Sequence, residues 1–142
     1  LENLKMFSKE VVSICKPQGV KVIINSYVDL AYEIEADGVH LTSKDLHNIK
    51  KRPQGLIVSA SCHTQEDFNI ADKMNINFAV LSTVKKTLSH PNTKPMGWNK
   101  FQQIVNKSNI PIYALGGLGI KDYNDALKNG AIGISSQRLI WK

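Results

Sequence analysis

The 142-residue sequence predicts an α/β fold built on a parallel sheet, and three observations carry that prediction. Six short apolar, β-branched runs recur along the chain, separated by segments with helical spacing or turn residues. Most of these runs are apolar throughout rather than alternating, so both faces of the sheet are covered, as parallel sheets require. Lastly, ADGVH, INFAV and GAIGI each open a strand directly after a short polar or glycine break, a weak internal echo of one repeated βα unit.

The elements follow in order. Leu4, Phe7, Val11, Ile14 and Cys15 lie at helical spacing among lysines and glutamates, giving an amphipathic helix stopped by Pro17 and Gly19. KVIIN (21–25) is a strand, VDLAYEIEA (28–36) one or two helical turns, DGVHL (37–41) a strand, and DLHNIKKR (45–52) a weak turn. LIVSA (56–60) leads into Thr64 and Asp67, which resemble a capping box with Asp in the position Glu usually takes, ahead of the helix EDFNIADKM. FAVLS (78–82) is a strand, followed by the long loop TVKKTLSHPNTKPMG and the helix WNKFQQIVNK (98–107). PIYAL (111–115) ends in Gly116-Gly117, helix KDYNDALKN (121–129) precedes the strand AIGIS (131–135), and a short helix ends at Trp141.

Repetition of one βα unit favours a (β/α)8 barrel over a doubly wound sheet. A closed barrel needs eight strands and about 200 residues. Six strands fall two units short, so residues 1–142 are read as one domain lacking the first two βα units. The sheet is then open, or those units lie upstream of Leu1, or a partner closes it. A start at Leu rather than Met favours an upstream continuation.

Composition narrows the function classes. With 42% hydrophobic and 21% charged residues the chain is too apolar for a disordered segment, and its apolar runs are too short to cross a membrane. Cys15 and Cys62 allow at most one bridge and sit in VSICK and ASCHT, which read as buried positions of a reduced, cytoplasmic protein. The net charge of +6 is uneven, since residues 76–142 hold nine basic and two acidic groups. The lysines are scattered and arginine occurs twice, which does not fit a nucleic-acid surface and fits a pocket for a phosphorylated small molecule.

Sites in parallel sheets lie beyond the carboxyl ends of the strands. Strand parity places Ser59, Ser61 and His63 on one face, where two serines and a histidine suit a barrel interior better than a helix-covered surface. Ser61 can donate to an anion, and His63 can shuttle a proton near neutral pH. Gly116-Gly117 after one strand and Ser135-Ser136-Gln137 after the next supply closely approaching backbone amides, the usual form of a barrel phosphate site. Metal support is thin: Asp45 follows its strand with no second carboxylate at the preceding strand end, whereas Mg²⁺ usually takes one or two plus phosphate oxygens.

Read in order, VIINSYVDLAYEIEADGVHLTSKDL, SASCHTQED, FAVLSTVKKTLSHPNTKPMGW, IPIYALGGL and GAIGISSQRLIW resemble the thiamine phosphate synthase and thiazole tautomerase (TenI-like) family of TIM barrels. ASCH, FAVL, SHP…PMGW and the terminal Arg-x-x-Trp most resemble the barrel domain fused behind a Nudix (MutT-like) hydrolase. The resemblance spans essentially the whole chain, beginning at the helix after the family's second strand, and implies an upstream Nudix partner and Mg²⁺ as cofactor.

What the resemblance implies can be followed residue by residue. The family's Asn-Asp pair becomes Asn25-Ser26, which keeps the asparagine and loses a metal-binding aspartate. Its second metal aspartate matches Asp45, its phosphate-binding serine Ser61, and the neighbouring tautomerase histidine His63. Thr87 matches a family threonine, but His90 stands where a lysine faces pyrophosphate, and a histidine is mostly uncharged at pH 7. Gly116 and Gly117 keep the thiazole-phosphate glycines, while Gln137-Arg138 replace Ile-Ser. The resemblance therefore implies a phosphate end that is kept and a pyrophosphate–metal end that is eroded. Three functions follow: a synthase-like domain with weakened chemistry, a thiazole tautomerase using His63, or a non-catalytic module of a Nudix fusion.

Overall fold

The computed structural model describes residues 2–87 and 92–136. Its order is helix α1 (Glu2–Cys15), strand β1 (Ile23–Asn25), α2 (Val28–Glu33), β2 (Gly38–Leu41), α3 (Ser43–Asn48), β3 (Ile57–Cys62), α4 (Gln65–Met74), β4 (Phe78–Leu81), α5 (Gly97–Val105), β5 (Ile112–Leu115), α6 (Tyr123–Lys128) and β6 (Gly133–Ser135). Short 3-10 turns lie at Lys16–Gln18 and Ile120–Asp122. The six strands form one parallel sheet in sequence order, β1-β2-β3-β4-β5-β6, as a partial TIM-barrel-like arc. The last helix expected near Trp141 lies outside the described residues.

The register explains which face does what. Asn25 pairs with His40, His40 with Ser59, Ser59 with Phe78, Ser61 with Val80, Val80 with Tyr113, and Leu115 with Ser135. Register partners in a parallel sheet share a face, so these side chains line the concave inner side. The opposite parity is Val39, Leu41, Val58, Ala60, Cys62, Ala79, Leu81, Ile112 and Ala114, all fully or almost fully buried. That outer face forms the core with Leu30, Leu46, Phe68, Phe101, Leu118 and Ala126 from the helices and loops. Small residues at Ala60, Ala79 and Ala114 let the helices sit close to the sheet.

Two expectations are corrected. The segment read as a weak turn opens with a true helix, α3, because Thr42 and Asp45 form a capping box: the Thr42 hydroxyl accepts from Asp45 N and the Asp45 carboxylate from Thr42 N. The apolar stripe of α1 is only partly used. Val12 is buried, but Phe7 is 64% and Ile14 56% exposed, so only part of the apolar stripe of α1 reaches the core. The predicted Thr64–Asp67 capping box opens α4, and both cysteines are free thiols, with Cys62 fully buried. Burial pushes the Cys62 thiol up to about 12, which leaves it protonated and unreactive.

Candidate active site at the C-terminal rim

The rim is assembled strand by strand. At the end of β1, Asn25 is exposed and its amide donates to Ser26 Oγ at 3.4 Å. Ser26 takes a left-handed φ of 68°, which turns its hydroxyl toward α3, where it donates to Asp45 Oδ2 at 2.8 Å. The same oxygen accepts from Thr42 Oγ1 at 2.6 Å and Thr42 N at 3.1 Å. The Thr42 hydroxyl, opposed in part by burial and helped by Ser26, holds the Asp45 carboxyl below its usual value. Asp45 is thus a helix cap joined to the β1 end. Among the described residues no group of three or more His, Cys, Asp or Glu is arranged to hold a metal.

Beside it on the inner face lies a residue that the sequence reading passed over. His40 Nδ1 is 2.8 Å from Ser59 Oγ and Nε2 is 2.8 Å from Ser61 Oγ. Burial lowers the His40 pKa, so the ring is neutral near pH 7. Strand parity held the signal: in DGVHL, His40 interrupts the inner face while Val39 and Leu41 fill the core. Ser61 is half-buried where the parity argument placed it.

His63 lies one residue past β3 and is exposed rather than inside the arc, with Nδ1 3.1 Å from Ser82 Oγ and 3.3 Å from Ser82 O at the end of β4. Its backbone is fixed from below by Asp67, which accepts from His63 N at 2.7 Å and Thr64 N at 2.9 Å. Asp67 also accepts from Ser43 Oγ at 2.9 Å and lies 2.8 Å from His47 Nε2, tying α3 to α4. Burial alone would raise the Asp67 pKa, but the bonds from His63, His47, Ser43 and Thr64 bring it down to about 2.

Gly116 and Gly117 have φ of 107° and 65°. A Cβ on Gly116 would lie 2.9 Å from Thr83 Cα, and one on Gly117 would lie 2.5 Å from Lys86 O. The close approach is therefore to the loop after β4, which is bonded here through Val84 N to Leu115 O and Lys85 N to Gly116 O. Lys85 reaches Asp122, which is buried and also accepts from Gly119 N, so this rim lysine is paired. Ser135 pairs in register with Leu115, so Gly116-Gly117 and Ser135-Ser136 leave adjacent strands on one rim. Thr87 is half-buried in the loop after β4. His90, Gln137 and Arg138 lie outside the described residues.

A profile described as thiamine monophosphate synthase matches residues 2–140. The chain belongs to the thiamine monophosphate synthase family. Within that family it is 37% identical over 135 residues to the putative thiamine-phosphate synthase 2 of Aquifex aeolicus, covering 94% of this chain and 73% of that protein. The thiamine-phosphate synthase of Coprothermobacter proteolyticus is 34% identical over 128 residues, covering 88% of this chain and 61% of the relative. A solved structure of thiamine phosphate pyrophosphorylase from Pyrococcus furiosus superposes with a TM-score of 0.80 at 24% identity, over 95% of this chain and 66% of that one. The chain thus spans between three fifths and three quarters of the length of these relatives.

At the opposite end of the sheet a polar hollow of about 380 Å³ is lined by Arg52, Asn75, Asn77 and Pro111, among others. Arg52 is occupied there, donating to the carbonyls of Asn75, Pro53 and Leu56 and to Asn77 Oδ1. This cation holds the β3 and β4 entry loops together and lies away from the synthase-family rim.

Proposed function

We propose that this chain binds a phosphorylated thiazole-type small molecule at the C-terminal rim, with the family's pyrophosphate-departure chemistry weakened or lost. The observation that supports the reading most is the adjacent exit of Gly116-Gly117 and Ser135-Ser136 from register-paired strands, on the basic half of the chain. Backbone amides at such strand ends favour an anion without a side-chain cation. Ser61, on the inner face of β3 two strands from β5, adds a hydroxyl donor, and Thr87 stands in the loop after the intervening β4.

The weakening follows from charge. In the synthase reaction, negative charge develops on the departing pyrophosphate, and each missing group that meets it costs about 3 kcal/mol of barrier. Ser26 stands where the resemblance implies a metal carboxylate, and His90 where it implies a lysine. Asp45 is left as one carboxylate whose Oδ2 already accepts three hydrogen bonds. That donor set does not make a Mg²⁺ cage by itself, and no step is assigned to the metal. An upstream Nudix partner belongs to the proposal through the ASCH and PMGW stretches alone.

A second reading, thiazole tautomerase, is favoured by one observation: the exposed His63 ring on Ser82 at the rim. An imidazole there takes a proton from one ring atom of the ligand and returns it to another. Calorimetric titration with thiazole phosphate, with and without Mg²⁺, tests the main proposal. Binding is expected; absence of binding by the protein overturns it. Binding that needs Mg²⁺ favours the synthase, and metal-independent binding favours the tautomerase or a binding module.

A further inference from the structure

We propose that His40 and Ser59 form a tautomer relay that turns the Ser61 hydroxyl hydrogen outward as a donor, making His40 a positioning residue for the anion at the rim. The inference rests on the phosphate reading above only for the identity of what Ser61 meets. The relay itself follows from hydrogen bookkeeping inside the arc.

Ser59 is 0% exposed, and the single side-chain partner of its hydroxyl among the described residues is His40 Nδ1, at 2.8 Å. A buried hydroxyl hydrogen without an acceptor is costly, so Ser59 Oγ–H donates to Nδ1. With Nδ1 accepting, a neutral imidazole carries its proton on Nε2. Nε2–H then donates to Ser61 Oγ, 2.8 Å away. Ser61 Oγ receives that bond, and its own hydrogen points elsewhere. Ser61 is half-buried on the concave side, so that direction is the open interior.

The opposite tautomer inverts the chemistry. With the proton on Nδ1, the Ser59 hydrogen has no acceptor, and Ser61 spends its hydrogen on Nε2 and shows only lone pairs to the interior. Lone pairs repel an anion, whereas an O–H attracts one. A doubly protonated ring orphans the Ser59 hydrogen in the same way, and burial of His40 already opposes that state. One proton position on one ring thus decides whether the inner face accepts or rejects an anion at Ser61.

The test is a long-range proton–nitrogen spectrum of the ¹⁵N-labelled protein at pH 7, with the His40 signals identified by their loss in His40→Gln. A neutral Nε2–H ring is expected in the unmodified protein, and Ser59→Ala, which removes the hydroxyl that keeps Nδ1 an acceptor, is expected to show both neutral tautomers. Titration with inorganic phosphate is expected to show about 2-fold weaker binding in Ser59→Ala, because about half of the molecules now turn the Ser61 hydrogen toward Nε2. Ser59→Ala removes a single oxygen, and an unchanged melting profile separates the relay from loss of fold. An Nδ1–H ring in the unmodified protein overturns the proposal, as does an unchanged phosphate affinity in Ser59→Ala. An Nε2–H ring with no phosphate binding by the unmodified protein supports the relay and overturns the phosphate reading instead.

Discussion

Replacing Asp67 by Asn keeps the shape of the α3–α4 junction and removes its charge. Asp67 is 2% exposed and takes hydrogen bonds from the backbone of His63 and Thr64 and from Ser43, with the His47 ring beside it. Its carboxyl is brought from 3.8 down to about 2, a shift that corresponds to about 2.5 kcal/mol between charged and neutral forms. Asn keeps one accepting oxygen at the same junction, so about 1–2 kcal/mol of that stability is lost on substitution. The pKa is depressed in the folded state, so this stability is fully present above the unfolded value and is lost as pH falls through the folded one. Asp67→Asn is therefore expected to lower stability by about 1–2 kcal/mol at pH 7, a drop in Tm of roughly 5 °C. The deficit narrows to about half by pH 3, where the unfolded chain of the parent has taken up its proton. Urea denaturation of both proteins at pH 7, 5, 4 and 3 measures it. Equal stability at pH 7, or a deficit that stays constant down to pH 3, would refute the reasoning.

Two further substitutions probe the rim. Gly117→Ala places a methyl 2.5 Å from Lys86 O at a φ of 65°, so strain and overpacking together are expected to cost about 2–5 kcal/mol in denaturation. Wild-type stability in that variant would show that the loop after β4 yields. His63→Ala, at an exposed position, is expected to leave stability within about 0.5 kcal/mol of unchanged and phosphate binding intact while tautomerase turnover falls. Undiminished turnover would take His63 out of the reaction.

The strands were legible because a parallel sheet writes itself as continuous apolar runs: IIN, GVHL, FAVL, IYAL and GIS lie within the predicted segments, and IVSASC runs two residues past its own. Helix α3 was missed although Thr42 and Asp45 repeat the Thr64–Asp67 spacing that identified α4, because a six-residue helix has too little periodicity to register. Ser61 was placed correctly by alternation within one strand. The same alternation marks His40 as an inner-face residue, but its partnership with Ser59 and Ser61 depends on the register between β2 and β3, which no single strand records. The two glycines stand out in the sequence by their position after a strand, and a Cβ on either would meet the loop after β4, a contact that only the folded chain displays. Charge pairing across the chain, as between Lys85 and Asp122, is likewise invisible until the turn after β5 is folded against the loop after β4.

The strict sequence order of the sheet bears on how the molecule is made. Each strand lies against the one synthesised just before it, so a nascent chain leaving the ribosome can add one βα module at a time without waiting for a distant segment. The widest hop is from Ala79 to Ile112, across the loop that packs on Gly116 and Gly117. Because closure entropy grows only logarithmically with the length spanned, even that step adds well under about 1 kcal/mol to the ordering cost of its neighbours.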